Sequence, residues 1–418
     1  MPEEGWQQQL DRHKLTGLKL AAGLLRPKAA AALAATRLDP GNYRPGRKTV
    51  LCLMRPHFSL DVEQLRKLDH VNWLGLNLIM LGEMQRAWAK PEMQEQTFYQ
   101  RTRTDPRFAA SWQRIDEFGR ELVERIDRRY SLDGVLCANI DYWQAEGLRR
   151  AAQERGLPFL VLSRENMLTR YDEQLFLDRY RGFRFEGDGV AFFGDWMRRT
   201  LLRTGSIREE QCTVTGAPRL DVWKEATTSA DVRDSIVLIT FADPGYYAPE
   251  AFRVTLERFA AAAERHRGRA RFVVKAKNRK DRLAVHAMGR SQNLEITSDV
   301  ALEDLLPRAH LVVGFNSTAV FDALLTSAPV ATPDMLDSRR GNEYLMFEPE
   351  DALCARVLRF YREPAELDLQ LDAAATGGMG MQSDPAARRE LIERYIHFPQ
   401  GATATEMAER FVLERLRR

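Results

Sequence analysis

The residues with the clearest chemical potential lie between Leu311 and Asp334, in the stretch LVVGFNSTAVFDALLTSAPVATPD. A short apolar run predicts a buried strand, and Asn316, Ser317 and Thr318 follow it with side chains that favour the start of a helix. The first backbone amides of that helix and the positive end of its dipole would open at the carboxyl edge of a sheet. Such a site binds anions, phosphate in particular. The alternative is that the three residues only cap the helix.

Three further side chains fall just past predicted strands, where an α/β sheet places its chemistry. His57 and Asp61 follow the apolar run at 49–54, and Glu165 follows a later run. Histidine titrates near neutral pH, and a carboxylate in a partly desolvated cleft can accept a proton. We expect a general base among them, in the order Glu165, His57, Asp61. A loop-capping histidine and a salt bridge between Arg164 and Glu165 are the structural alternatives.

Cationic and turn residues supply a second set of candidates for binding a phosphate. Lys275 and Lys277 end another apolar run, and Gly216 lies in a turn where backbone would approach a ligand. Arg219 follows that turn and is long enough to reach a phosphate. The alternatives are a solvated loop charge for the nearby Arg279 and Lys280, and a tight turn in which Arg219 pairs with Asp221.

Strands alternating with helices must position these residues. Apolar runs predict strands at 49–54, 134–138, 159–162, 190–193, 212–214, 236–240, 271–274, 294–296, 311–315 and 329–331. The alternation occurs twice, which predicts an α/β protein made of two doubly wound Rossmann-like domains that face a central cleft. A chain of 418 residues likewise suits two domains, each with its own core.

Composition excludes several classes of protein. The 62 basic side chains are balanced by 59 acidic ones, which argues against nucleic acid binding by the whole surface. The four cysteines lie far apart, and three fall within strand-like runs, which favours reduced, buried thiols in a cytosolic protein over disulfides or a zinc site. No apolar run approaches the roughly 18 residues that a membrane-spanning helix needs.

The amino-terminal segment is basic. Between Arg12 and Lys48 there are nine Lys or Arg residues and one acid, with apolar residues on one helical face up to Pro27. A helix of this kind can lie on the anionic inner face of the cytoplasmic membrane. The equal alternative is a solvated helix that packs on its own domain.

Three motifs together resemble a known class of enzymes: VTGAPRLD at 214–221, VVKAKN at 273–278 and GFNSTAVFDALLTSAPVATPD at 314–334. In this order and spacing they resemble the GT-B class of nucleotide-sugar glycosyltransferases. The likeness is greatest to the bacterial group that makes surface carbohydrate, capsule polysaccharide and lipopolysaccharide, which is related to the CDP-glycerol glycerophosphotransferases. The segment at 388–411 is similar to the closing segment of that group, and the resemblance covers most of 130–411.

The resemblance implies how the donor is bound. A CMP-, CDP- or UDP-linked donor would lie against the second domain, held by Ser317 and Thr318 and by Lys275 or Lys277, with no metal or other cofactor. The glutamate that usually follows the Ser-Thr pair by one helical turn is replaced by the shorter Asp322. The usual His-Pro after the basic strand residue is replaced by 276–278, where Lys277 is expected to compensate electrostatically.

The function implied by the resemblance is a glycosyltransferase that moves a sugar to a surface-polysaccharide or lipid-linked glycan. We further expect inversion by direct displacement, and a location in the cytoplasm or, given the basic amino-terminal segment, on the inner membrane face. The alternatives are a glycerol- or ribitol-phosphate transferase, a non-hydrolysing nucleotide-sugar 2-epimerase and a non-catalytic polysaccharide assembly subunit. The expected parts are an amphipathic segment at 1–45, an acceptor-side domain at 46–222, a nucleotide-donor domain at 223–385, and a helical segment at 386–418 that packs back on the acceptor-side domain.

Overall fold

The computed structural model describes most of the chain. The described residues are 26–56, 58–95, 97, 99–163, 172–223, 233–240, 249–277, 282, 285–286, 293–315, 319–335, 347–377 and 384–416. Every structural statement below concerns these residues.

The strands of the described residues form two parallel sheets of six strands each. The strands are β1 (Thr49–Met54), β2 (Asn72–Asn77), β3 (Gly134–Cys137), β4 (Phe159–Ser163), β5 (Gly189–Phe192), β6 (Cys212–Val214), β7 (Ser235–Thr240), β8 (Arg271–Ala276), β9 (Leu294–Thr297), β10 (Ala309–Gly314), β11 (Val330–Pro333) and β12 (Leu358–Tyr361).

Helices connect most of these strands. They are α1 (Pro27–Ala35), α2 (Phe58–Leu68), α3 (Leu78–Gln85), α4 (Tyr99–Arg103), α5 (Ala109–Tyr130), α6 (Glu146–Glu154), α7 (Asp172–Arg179), α8 (Asp195–Thr204), α9 (Pro249–Arg265), α10 (Leu302–Leu305), α11 (Ala319–Leu324), α12 (Ala352–Val357), α13 (Pro364–Ala375), α14 (Pro385–Tyr395) and α15 (Ala404–Leu416). The alternation confirms the predicted fold class, two doubly wound Rossmann-like α/β domains.

Two compact units account for the described residues. The first draws on Met1–Asn166, Gln174–Arg219 and Tyr395–Arg418, and the second on Met167–Glu173 and Leu220–Arg394. The chain therefore returns to the first unit after α14. The predicted limits of the four parts of the chain, with boundaries after 45, 222 and 385, stay a prediction.

The first unit is built on the sheet β2-β1-β3-β4-β5-β6, in which each neighbouring pair is parallel. Successive residues of β3, β4 and β5 are all buried, so both faces of the sheet are covered. Helix α5 packs against α1 and α6, and α15 packs against α2 and β5. The predicted strands of this unit are therefore central, apolar strands of a parallel sheet.

The second unit is built on the sheet β12-β11-β10-β7-β8-β9, which is also parallel throughout. Its core joins apolar residues of β7, β8 and β10 to Phe252 and Phe259 of α9 and to Leu367 and Leu371 of α13. Helix α9 packs along α13, which contacts β7, β10 and β12. This core holds the strands of the second sheet in place and so sets the position of the strand ends near the predicted site residues.

Two strands were not predicted. Strand β2 has the sequence NWLGLN, and Asn and Gly are unfavourable in strands on average. Here Asn72 is tolerated because its side-chain amide donates to the backbone oxygen of Arg44 at 2.8 Å and its carbonyl accepts from the Arg44 amide at 2.8 Å. Strand β12 lies at a sheet edge with Arg359 exposed, so no continuous apolar run marks it.

Three expectations from the sequence concern the cysteines, membrane-spanning helices and the amino-terminal segment. Cys52, Cys137 and Cys212 lie in strands, and all four cysteines are free thiols. No helix of the described residues is both long and apolar enough to cross a lipid bilayer. The segment before Arg26, which includes the predicted membrane-binding face, lies outside the described residues.

A buried ion pair in the second unit gives a testable contribution to stability. Asp351 caps α12 through bonds from the amides of Leu353 at 2.8 Å and Cys354 at 3.4 Å, and its other oxygen accepts from Arg394 at 2.6 Å. Burial raises the pKa of Asp351, but Arg394 and the helix amides outweigh it, so the pKa lies below its ordinary value. The charged form therefore stabilises the fold above the ordinary pKa, and that contribution is lost as pH falls through the folded value.

We expect Asp351→Asn, which keeps a capping side chain and removes the charge, to lower the free energy of unfolding at neutral pH by roughly 1 to 3 kcal/mol. The difference from wild type should vanish in acid. Urea denaturation over a pH series measures both. Asp384→Asn is the matched control, since Asp384 also caps a helix and pairs with an arginine but is more exposed to water. Equal losses in the two variants would contradict the role of burial.

Candidate functional site

The strand order of the second sheet defines a place for a ligand. Numbered from one in chain order, its strands lie 3-2-1-4-5-6 when read from the β9 edge, which is the order of dinucleotide-binding Rossmann folds. The order reverses between β7 and β10, where Ile239 pairs with Gly314. Ligands of such sheets bind outside the carboxyl ends of the strands at this point. The predicted anion-binding residues directly follow β10 there.

The first sheet has a comparable point. Its order β2-β1-β3-β4-β5-β6 reverses between β1 and β3, where Leu53 pairs with Cys137. The loops after these two strands contain Arg55 on one side and Asp141 and Tyr142 on the other. The sequence therefore places polar residues at the reversal point of each sheet.

Several predicted site residues lie outside the described residues, so their roles stay predictions. They are His57, Glu165, Asn316, Ser317 and Thr318.

The lysines predicted to bind a phosphate lie at the carboxyl edge of the second sheet. Lys275 is half-buried at the end of β8, the strand next to β7. Its ammonium donates to the backbone oxygen of Ser298, just after β9, at 2.6 Å. Lys277 follows and is exposed. Lys275 is therefore one strand away from the reversal point and anchored to the next loop, and phosphate binding by either lysine stays a prediction.

Asp322 lies in the first turn of α11, directly after the predicted anion-binding residues. One of its carboxylate oxygens accepts a hydrogen bond from the indole nitrogen of Trp223 at 3.2 Å. Trp223 itself is buried, and nothing in the sequence pattern marked it as part of the site. The indole fixes the orientation of the Asp322 carboxylate, whose contact with a ribose stays a prediction.

Asp61 and Arg219, predicted separately as a base and a phosphate ligand, form a pair within the first unit. Asp61 is fully buried, and its two oxygens accept from the Arg219 amide at 3.0 Å and the Arg219 guanidinium at 3.2 Å. The guanidinium also lies 4.6 Å from the ring centroid of Phe193. The alternative pairing of Arg219 with Asp221 is thus replaced by Asp61. Both proposed chemical roles stay predictions, but each group already has a partner.

Gly216 has a structural reason for being glycine. Its φ is +79°, in the left-handed region, and a Cβ atom there would lie 2.5 Å from the backbone oxygen of His397. The chain before α15 thus lies directly against this turn. In the same unit, the His397 amide donates to the backbone oxygen of Phe193 at 2.7 Å. Donor binding by Gly216 stays a prediction.

The start of α11 packs closely against the end of β10. A Cβ atom on Gly314 would lie 2.7 Å from a methyl carbon of Val320 in α11. Glycine at the strand end therefore allows the helix to approach the strand directly. A larger residue at this position would require the Val320 side chain to shift.

The other end of α11 is fixed by a residue that sequence reasoning missed. Arg388 of α14 is buried and donates to the backbone oxygens of Leu324 at 2.7 Å, Ala323 at 2.9 Å and Ala328 at 2.8 Å. Burial, with a smaller effect of Arg233, lowers the pKa of Arg388 to about 10, so it remains charged at neutral pH. A cation at this position satisfies carbonyls that a helix end leaves open.

The cysteines of β1 and β3 are not activated thiols. Burial raises the pKa of both Cys52 and Cys137 to about 12, so neither is a thiolate at neutral pH. Among the described residues, no group of three or more His, Cys, Asp or Glu side chains is arranged to hold a metal ion.

No protein-family model matches the chain, and no curated protein matches it at a significant level. Solved structures do match, over most of each chain. A UDP-GlcNAc 2-epimerase from Neisseria meningitidis bound to UDP-GlcNAc is 14% identical, with a TM-score of 0.49 over 88% of this chain and 100% of that one. CalG4, a calicheamicin glycosyltransferase, is 13% identical, with a TM-score of 0.48 over 89% of this chain and 99% of that one.

A third similar structure, MnaA of S. aureus with UDP, is 15% identical, with a TM-score of 0.48 over 89% of this chain and 97% of that one. At these identities and TM-scores the similarities assign no activity to the chain. Its fold is established by its own strand order.

We expect Arg388→Met to lower the free energy of unfolding by about 2 to 5 kcal/mol, because it leaves several buried carbonyl groups without a donor. Chemical denaturation measures the loss. Arg389→Met is the matched control, since the neighbouring Arg389 is exposed on the same helix. If the two variants are equally stable, Arg388 does not hold α11.

Proposed function

We propose that the protein is a glycosyltransferase that uses a nucleotide-linked sugar, and that the second unit binds the donor. The observation that carries this proposal is the place of β10, one of the two strands between which the Rossmann strand order reverses. Residues 316–318 follow this strand in the sequence, and folds of this type bind a nucleotide's phosphates at such a reversal. The resemblance of the motifs around this point to GT-B enzymes supports the same reading.

The chemistry requires a group that stabilises the departing nucleotide phosphate. Hydroxyls and amides at 316–318 would donate hydrogen bonds to it, and Lys275 would supply a positive charge from the neighbouring strand. The cation compensates negative charge that increases as the glycosidic bond to phosphate breaks. No metal ion is required for this step, in the same way that helix ends and cations stabilise other phosphate leaving groups.

The acceptor hydroxyl must lose a proton as it attacks the sugar. We propose Glu165 or His57 for this role, because Asp61 already accepts two bonds from Arg219. Direct displacement by the acceptor inverts the configuration of the sugar carbon. The motifs further favour an acceptor among surface polysaccharides or lipid-linked glycans, and donors linked to CMP, CDP or UDP.

Nucleotide binding is the first test. Calorimetry with CMP, CDP, UDP and GDP should identify a ligand, and Ser317→Ala combined with Thr318→Val should weaken its binding about tenfold or more through lost hydrogen bonds. Lys275→Ala should have a similar effect. Ser327→Ala and Arg267→Ala are matched controls, since both side chains are exposed and lie away from the carboxyl edge in the same unit. A wild-type protein that binds no nucleotide would instead indicate a non-catalytic assembly subunit.

The base is tested by turnover. With the nucleotide-sugar identified by calorimetry and a lipid-linked glycan fraction as acceptor, we expect Glu165→Gln or His57→Ala to slow transfer by roughly 10² to 10⁴ while donor affinity is retained. Glu63→Gln is the control, as Glu63 is an exposed carboxylate on α2. Normal rates in both variants would remove both candidates. Conversion of the donor with no acceptor present would indicate an epimerase.

A further inference from the structure

Arg55 lies at the reversal point of the sheet in the first unit, one residue after β1. It is partly buried, and the carbon at the centre of its guanidinium lies 4.7 Å from the ring centroid of Tyr142. Tyr142 comes from the loop after β3, the strand next to β1, and is itself buried. The two strands that flank the reversal point therefore bring a cation and an aromatic ring together.

The guanidinium of Arg55 makes no ion pair with any described residue, and its Nε atom is shielded from water without a hydrogen-bond acceptor. The Nε atoms of Arg103 and Arg282 are in the same state, but each of those arginines binds a carboxylate through a terminal nitrogen, Asp116 at 2.7 Å and Asp299 at 3.3 Å. Arg55 differs because its charge has no such partner among the groups that the structure describes.

The acid nearest in the adjoining loop is already engaged. Asp141 is fully buried, and one of its oxygens accepts hydrogen bonds from Arg179 at 2.8 Å and from the Tyr180 hydroxyl at 2.8 Å. Asp141 therefore pairs with Arg179 and not with Arg55.

We propose that Arg55 and Tyr142 form an oxyanion subsite that receives a phosphate or carboxylate group of the acceptor. A planar guanidinium can donate two parallel hydrogen bonds to either group, and partial burial strengthens them by excluding water. The ring of Tyr142, 4.7 Å from the guanidinium carbon, helps to hold the guanidinium in place. Calling the ligand an acceptor rests on the proposed transferase function, whereas the anion subsite itself does not.

The test uses glucose 1-phosphate, glucuronate and neutral glucose as probes, titrated into the full chain by calorimetry. We expect at least one of the two anions to bind while glucose does not, and Arg55→Gln to weaken that binding about tenfold or more. Arg129→Gln is the matched control, because Arg129 also lies over a tyrosine, 5.1 Å from the Tyr130 centroid, but at the other end of β3. Which anion binds distinguishes a phosphorylated from an acidic acceptor.

Two further variants make the outcome unambiguous. Lys275→Ala separates this subsite from the donor site: binding that is lost in Lys275→Ala and kept in Arg55→Gln belongs to the donor and overturns the proposal. Arg55→Lys keeps the positive charge but lacks the two parallel N–H donors of the guanidinium. This variant should bind the anion more weakly than wild type but more tightly than Arg55→Gln, with an unchanged unfolding midpoint. Equal anion binding in all variants, or none by wild type, also overturns it. Nucleotide binding is measured separately, so the transferase function can fail while this subsite stands.

Discussion

A buried guanidinium holds the part of the second unit on which its proposed chemistry depends. Helix α11 has only six residues, too few to be stable without tertiary contacts. Arg388 fixes its carboxyl end through three backbone oxygens, and the absence of a side chain at Gly314 lets its first turn lie against β10. These two contacts fix both ends of α11 within the described residues, so a change at either place would act on stability.

The strand orders explain why chemistry collects where it does. In each sheet, two adjacent central strands lead into connections that run in opposite directions, so the loops after them separate and leave a crevice. In the first sheet these loops contain Arg55 and Tyr142. In the second sheet the two strands are β7 and β10. Lys275 lies at the same carboxyl edge of the second sheet, because β8 pairs with β7. The two sheets thus place different polar residues at their reversal points.

Most of the fold was predictable because strands buried on both faces of a parallel sheet are continuous apolar runs. Ten strands were found this way, and the two that were missed break the rule for local reasons. In β2 a buried asparagine is paired with a distant backbone segment, and β12 is an edge strand with an exposed arginine. Positions at the ends of strands, such as Lys275, were equally predictable, since a strand end follows from the run itself.

The sequence by itself determined the alternation of strands and helices, the number of sheets, and which residues follow each strand. Only the tertiary structure decided which groups those residues meet. Arg219 pairs with Asp61 across 158 positions, the Trp223 indole reaches Asp322 across 99, and Arg388 bonds to Ala323 across 65. Strand and helix propensities are set by near neighbours in the chain, whereas these partners are set by strand order and register. For that reason a local pattern can indicate where a charged side chain lies but not which group neutralises it.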